Sequence, residues 1–154
     1  MYGLVWLITL LPLRVLYLFS DIAYPIVYYV VGYRKEVVRQ NIERSFPQKS
    51  QKEWRRIERR YYRFFCDLMI ETLYEMNISK AEINRRMTYS NVEAIKEQYA
   101  QGKSVMIMTA HYGNWEWTLN FPFCMPEGES SNPIYKQLRN PRIDKLIHGL
   151  RSKY

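Results

Sequence analysis

The sequence predicts an α/β domain behind a hydrophobic N-terminal anchor, and three observations carry that expectation. The run from Tyr2 to Val31 is almost wholly apolar and aromatic. A periodic helix over 91–101, with Val92, Ile95 and Tyr99 on one side, stops at Gly102. Directly after it, Ser104–Ala110 is a continuous apolar run of the kind found in strands buried on both faces. Helix, glycine, buried strand is the rhythm of α/β proteins. The composition changes around Tyr33, which divides the chain into an anchor, 1–33, and a soluble part, 34–154.

The apolar run is interrupted by Pro12, Arg14, Ser20, Asp21 and Pro25. It is long enough for a bilayer, whose hydrocarbon core takes about 20 helical residues. Arg14 and Asp21 would each cost on the order of 2.5 to 3.5 kcal/mol at the bilayer centre, so two short helices lying partly in the membrane are the alternative to one that crosses it. No basic segment precedes the run and no small-residue cleavage site follows it, which argues against a signal peptide. Trp6, Tyr17, Tyr24, Tyr28 and Tyr29 fit an interfacial aromatic belt.

A strongly basic stretch follows, which the positive-inside rule keeps in the cytoplasm. Ser50 and Glu53 have capping-box spacing, and Trp54, Ile57, Tyr61, Phe64, Phe65, Leu68 and Thr72 recur at helical spacing, so a helix is predicted from Ser50 to about Met76. Arg55, Arg56, Arg59, Arg60 and Arg63 lie off that face, as a stripe suited to phosphate headgroups or as an ordinary solvated surface. Near the end, Ile134-Tyr135 is a candidate strand start. Asn140-Pro141 opens a helix with Ile143, Leu146, Ile147 and Leu150 in period.

Across the 154 residues, 47% are hydrophobic, 16% aromatic and 25% charged, with a net charge of +8. This is too apolar for disorder, and the charge points to an acidic partner. Alternating Arg and Tyr from Arg55 to Arg63 would suit nucleic acid, but a nucleic-acid module has no use for thirty apolar residues. Cys66 and Cys124 are far apart and, with His111 and His148, form no ligand spacing, so reduced thiols and no metal are expected.

The stretch that carries chemistry is Thr109-Ala110-His111-Tyr112-Gly113-Asn114-Trp115-Glu116-Trp117. At the carboxyl end of the predicted strand, His111 lies where open α/β sheets bind ligands. Gly113 lets the chain turn tightly, and Glu116 follows in the first turn of the next helix. A carboxylate there can accept the proton of one imidazole nitrogen and leave the other as a base. Such a base can remove a hydroxyl proton during acyl transfer from a thioester. No nucleophile is required: Thr109 falls in the predicted strand and Cys124 has no visible activator. Backbone amides near Gly113 and Asn114 are candidate oxyanion donors. The plain alternative is that His111 ends a strand and Glu116 begins a helix. Tyr112 and Trp115 line an acyl channel or simply pack.

Taken with Arg39-Gln40-Asn41-Ile42-Glu43-Arg44-Ser45-Phe46-Pro47, Gly102-Lys103, Ile134-Tyr135-Lys136, Arg139-Asn140-Pro141 and Leu150-Arg151, this stretch resembles the bacterial lipid A biosynthesis acyltransferases, the late lauroyl or myristoyl transferases, and related enzymes that acylate other glycolipids. The resemblance implies a glycerolipid-acyltransferase-like α/β domain at the inner membrane, facing the cytoplasm. It implies transfer of a fatty acyl group from acyl carrier protein or coenzyme A, as co-substrate, to a hydroxyl of a lipid A precursor, with no other cofactor. His111 would be the general base and Glu116 its acidic partner. Asn114 and Arg151 would bind or shape the site, and Tyr135 would lie where the core sheet continues. Family members are considerably longer, so the present stretch is expected to be an N-terminal part lacking much of both substrate pockets. The rival reading is a catalytically silent membrane-binding module in which His111 is incidental.

Overall fold

In the computed structural model, residues 6–126, 131–132, 134, 136–137 and 139–151 are described. The chain divides into two compact units, Met1–Asn77 and Ile78–Tyr154.

The first unit is built on three helices. A helical turn at 6–8 leads through Pro12 into α1 (Leu13–Pro25). Proline has no amide hydrogen to give to the carbonyl four residues back, and at Pro25 the chain widens into a π-helical segment, Ile26–Val31. It ends at Gly32, whose φ of 62° is the left-handed geometry of a helix terminus and whose amide donates to the Val27 carbonyl at 3.0 Å. Within the described residues, Leu13–Val31 is the one helical stretch long and apolar enough to cross a membrane. Next come α2 (Lys35–Ser45) and α3 (Gln51–Tyr74). The capping box forms as expected: the Ser50 hydroxyl accepts from the Glu53 amide, and the Ser50 amide donates to the Glu53 carboxylate at 2.8 Å. The Ser50 amide and hydroxyl, both donating to that carboxylate, hold the Glu53 carboxyl below its ordinary pKa more than Lys49 does.

Helix α3 runs antiparallel to α1. Asn77 Nδ2 reaches Thr9 Oγ1 at 2.6 Å and the Trp6 carbonyl at 3.0 Å. One turn after another, the Tyr17 hydroxyl donates to Glu71 and the Ser20 hydroxyl to Asp67. At the other end Tyr28 packs on Tyr62, with ring centroids 5.1 Å apart. Helix α2 is tied to α3 by Arg39, which donates to buried Glu58 at 3.1 Å, and by the Trp54 indole, which donates to the Phe46 carbonyl at 2.8 Å. The Arg39–Pro47 segment is thus the strap that fixes α2 to α3.

The inward face of α3 differs from the one its periodicity predicts. Leu68 and Thr72 are buried as expected, but Tyr61 and Phe64 are exposed, while Glu58, Tyr62 and Cys66 are buried. Two polar contacts account for the rotation. Glu58 must face in to meet Arg39, and the Tyr62 hydroxyl donates to the Tyr33 carbonyl; hydrophobicity alone cannot anticipate either. Burial pushes the Cys66 thiol up.

The expected α/β domain is not what the second unit shows: the fold is helical, and no strand occurs among the described residues. Its elements are α4 (Lys80–Arg86), α5 (Glu93–Ala100), a 3₁₀ helix (Trp115–Cys124) and α6 (Pro141–Arg151). Helix α5 stops at Gly102, φ 71°, as predicted. Ser104–Ala110, however, is irregular chain rather than a buried strand, with Met106 77% and Met108 86% exposed. An apolar run becomes a strand only where neighbouring strands take up its amides and carbonyls, and composition reports hydrophobicity without pairing. Ile134 is likewise exposed and outside any strand, and Tyr135 lies outside the described residues. The glycerolipid-acyltransferase-like sheet expected from the resemblance is overturned by the same observation. Helix α6 begins at Pro141 as predicted, with the Ile143 amide donating to Asn140 Oδ1 at 3.4 Å.

The 3₁₀ helix packs on α4. At their junction Asn120 is fully buried, donating to Asn84 Oδ1 at 3.1 Å and to the Met87 carbonyl at 3.3 Å, and accepting from the Tyr89 hydroxyl at 2.6 Å. That hydroxyl also lies 3.0 Å from the Thr118 carbonyl, and burial raises its pKa. Asn120→Leu keeps the branched shape and removes the hydrogen bonds to Asn84 Oδ1, the Met87 carbonyl and the Tyr89 hydroxyl. It is expected to cost about 2 kcal/mol of stability, measured by denaturant unfolding.

Helix α4 is capped by the Ser79 hydroxyl and braced by Glu82, which accepts from Arg85 and Arg86. Hydrogen bonds from Arg85 and then Arg86 bring the Glu82 carboxyl from 4.5 to about 2. A depressed carboxyl stabilises the folded state above its unfolded pKa and ceases to as pH falls through the folded one. The unfolding midpoint of Glu82→Gln should therefore lie below that of wild type at neutral pH. The gap should close as pH drops from 4.5 towards about 2. A gap that does not change with pH would show that these ion pairs contribute nothing.

Candidate functional site

His111 occupies the apex of a three-residue turn closed by the Tyr112 amide, which donates to the Ala110 carbonyl at 2.8 Å. Such a turn points its central side chain outward, and His111 and Tyr112 are both exposed, Tyr112 to 89%. Gly113 follows at φ 60°. A Cβ there would meet nothing within 4 Å, so the position favours glycine for its left-handed backbone alone and not for lack of room. Asn114, half-buried, precedes the 3₁₀ helix, and Glu116 lies in its first turn as predicted. The helix is 3₁₀ rather than α.

The His111 imidazole stacks obliquely on the Trp115 indole, with centroids 4.6 Å apart and planes at 55°. Trp115 thus limits the rotamers of the exposed imidazole. Among the described residues no hydrogen bond joins His111 to Glu116. The structure therefore brings His111, Asn114 and Glu116 onto one short segment, turn plus helix start, without linking the imidazole to the carboxylate. Arg151 is the last residue of α6, and its side chain, like all of Tyr135, lies outside the described residues.

What immobilises this segment was not legible in the sequence. Trp117 is buried, with the Arg86 guanidinium 5.9 Å from its ring. The Thr118 hydroxyl donates to the Trp115 carbonyl at 2.6 Å. Phe121 meets Tyr89 edge-on at 5.0 Å, and Lys80 sits 4.2 Å over Phe123. With Asn120, these contacts fasten the helix carrying Glu116 to α4. Asn84 and Asn120 are 36 residues apart, and no local spacing rule connects them.

The site can offer an exposed imidazole, a carboxylate five positions on, and the backbone amides of a helix start, which suit a developing negative charge. No cluster of histidine, cysteine and carboxylate able to hold a metal ion occurs among the described residues.

Compared with known proteins, the chain matches the model of the bacterial lipid A biosynthesis acyltransferase family over residues 1–154, its whole length. No curated protein and no solved structure gives a significant match. The family match spans the apolar helix, the Arg39–Pro47 strap and the His111–Glu116 turn alike, and the chain belongs to the bacterial lipid A biosynthesis acyltransferases.

Proposed function

We propose that this chain serves the transfer of a fatty acyl group from an acyl carrier protein or coenzyme A thioester to a hydroxyl of a lipid A precursor or related glycolipid. The reaction would take place at the bacterial inner membrane, with the site facing the cytoplasm. The observation that carries the reading is the family match across the whole chain, together with the exposed His111 turn that opens a helix bearing Glu116.

In this reading one nitrogen of His111 takes the proton of the acceptor hydroxyl as its oxygen attacks the thioester carbonyl. The tetrahedral intermediate then expels the thiolate, which recovers the proton from the imidazolium. The ester bond forms as the carbon–sulfur bond breaks, and no acyl-enzyme is needed. Glu116 orients the imidazole once substrate closes the site; catalytic hydrogen bonds are commonly long or unmade before substrate binds. Amides near Gly113 and Asn114 receive the oxyanion. Asn114, Tyr135 and Arg151 are assigned to substrate binding through their match to the family pattern. Membrane lipids are the partner of the apolar helix, and Arg55, Arg56, Arg59, Arg60 and Arg63, all exposed, suit phosphate-bearing headgroups.

A second reading, a catalytically silent membrane-binding module, is favoured by the apolar helix and the exposed arginines of α3, which need no chemistry at His111. One experiment separates the two. Membranes carrying the full gene product are given labelled acyl groups on either donor and a lipid A precursor, for wild type and His111→Ala side by side. The substitution should lower transfer by about 10²- to 10⁴-fold, with expression and membrane recovery unchanged. Equal transfer by both proteins would sink the base mechanism.

A further inference from the structure

Helix α1 has two different apolar faces. One is committed to α3 through Leu13, Leu16, Ser20 and, beyond the π segment, Tyr28, all buried. The other presents Val15, Leu18 and Ile22, continued by Ile26 in the π segment, three or four residues apart and exposed by 38% to 62%. Arg14 and Asp21, seven residues apart and both exposed, share one flank of this outer face. A helix with an immersed stripe, a charged flank and a covered back has the design of an interfacial helix, whereas a crossing helix is apolar all round.

The partner helix decides the matter more strongly. From Thr9 opposite Asn77 to Tyr28 opposite Tyr62, α1 and the π segment lie along α3. Over that same length α3 carries Arg63, Asp67, Glu71 and Glu75. Any tilt that took Leu13–Val31 through the hydrocarbon would take these four ionisable groups with it, besides Arg14 and Asp21. Cations also gather where the apolar stretch ends. Lys35 Nζ lies 3.9 Å from the Tyr28 centroid and 5.8 Å from that of Tyr29, and the Arg63 guanidinium 5.1 Å from that of Tyr24. Tyrosine and long basic side chains together are the residues of the headgroup layer, and their sign selects anionic lipid.

We infer that Leu13–Val31 lies in the plane of an anionic bilayer surface instead of crossing it, with the Leu18 and Ile22 face immersed and α3 on the same side as both its ends. This rests on the membrane location proposed above. It is tested in the full chain expressed in bacterial membranes, with Cys124→Ser as background and Cys66 left in place because it is buried. Single cysteines at Arg14, Leu18, Asp21 and, as the cytoplasmic reference, Lys52 are exposed to a membrane-impermeant maleimide in inverted and right-side-out vesicles. Arg14→Cys and Asp21→Cys should be labelled from the same side, and to the same extent, as Lys52→Cys, with Leu18→Cys protected. Labelling of Arg14→Cys from the opposite side, or protection of Asp21→Cys from both, would overturn the in-plane arrangement and leave the membrane location standing. Recovery of the wild-type chain in the soluble fraction, or as a lipid-free dimer cross-linked through Leu18→Cys, would overturn the lipid partner as well.

Discussion

The antiparallel contact of α1 with α3 is the constraint on which the first unit depends. At 24 residues, α3 is densely charged in its first half and apolar in its second. Helices of this kind draw most of their stability from packing. The contact is apolar at Leu16, aromatic at Tyr28 and Tyr62, and polar at Ser20, Tyr17 and Thr9. Its polar part matters for register. A leucine can slide along an apolar groove, but Tyr17 finds Glu71 and Ser20 finds Asp67 in only one alignment.

That alignment fixes what else α3 can do. With the face bearing Glu58, Tyr62 and Cys66 turned inward, its exposed arginines and aromatics are displayed together on the outside. Burying Glu58 has a desolvation cost, offset by the Arg39 pair. The family-like segment from Arg39 to Pro47 therefore works here through packing, with Arg39 reaching Glu58, Ile42 buried and the Phe46 carbonyl accepting from Trp54.

The second unit solves a different problem, that of holding an irregular, exposed turn beside a helix start. Asn120 does so by joining the 3₁₀ helix to two points of the chain around α4, and Tyr89 closes the network. A fully buried amide with three hydrogen bonds specifies geometry more narrowly than an apolar contact of the same area. The His111 turn is thereby left accessible, while the helix bearing Glu116 is restrained.

The sequence by itself determined what local rules govern: the capping box at Ser50 and Glu53, the stop at Gly102, the tight turn at Gly113, the start of α6 at Pro141 and the length of the apolar N-terminal stretch. Each depends on groups within a few residues of one another. It also carried the family, because His111-Tyr112-Gly113-Asn114-Trp115-Glu116 and the Arg39–Pro47 segment are contiguous patterns. Only the tertiary structure decided the fate of Ser104–Ala110, which has a strand's composition and no strand's partners, and the inward face of α3, rotated by Glu58 and Tyr62. The support given by Asn84, Tyr89 and Asn120 was likewise settled there. The last two outcomes turn on hydrogen bonds between residues 19 to 36 positions apart, and such bonds leave no trace in the periodicity of either partner.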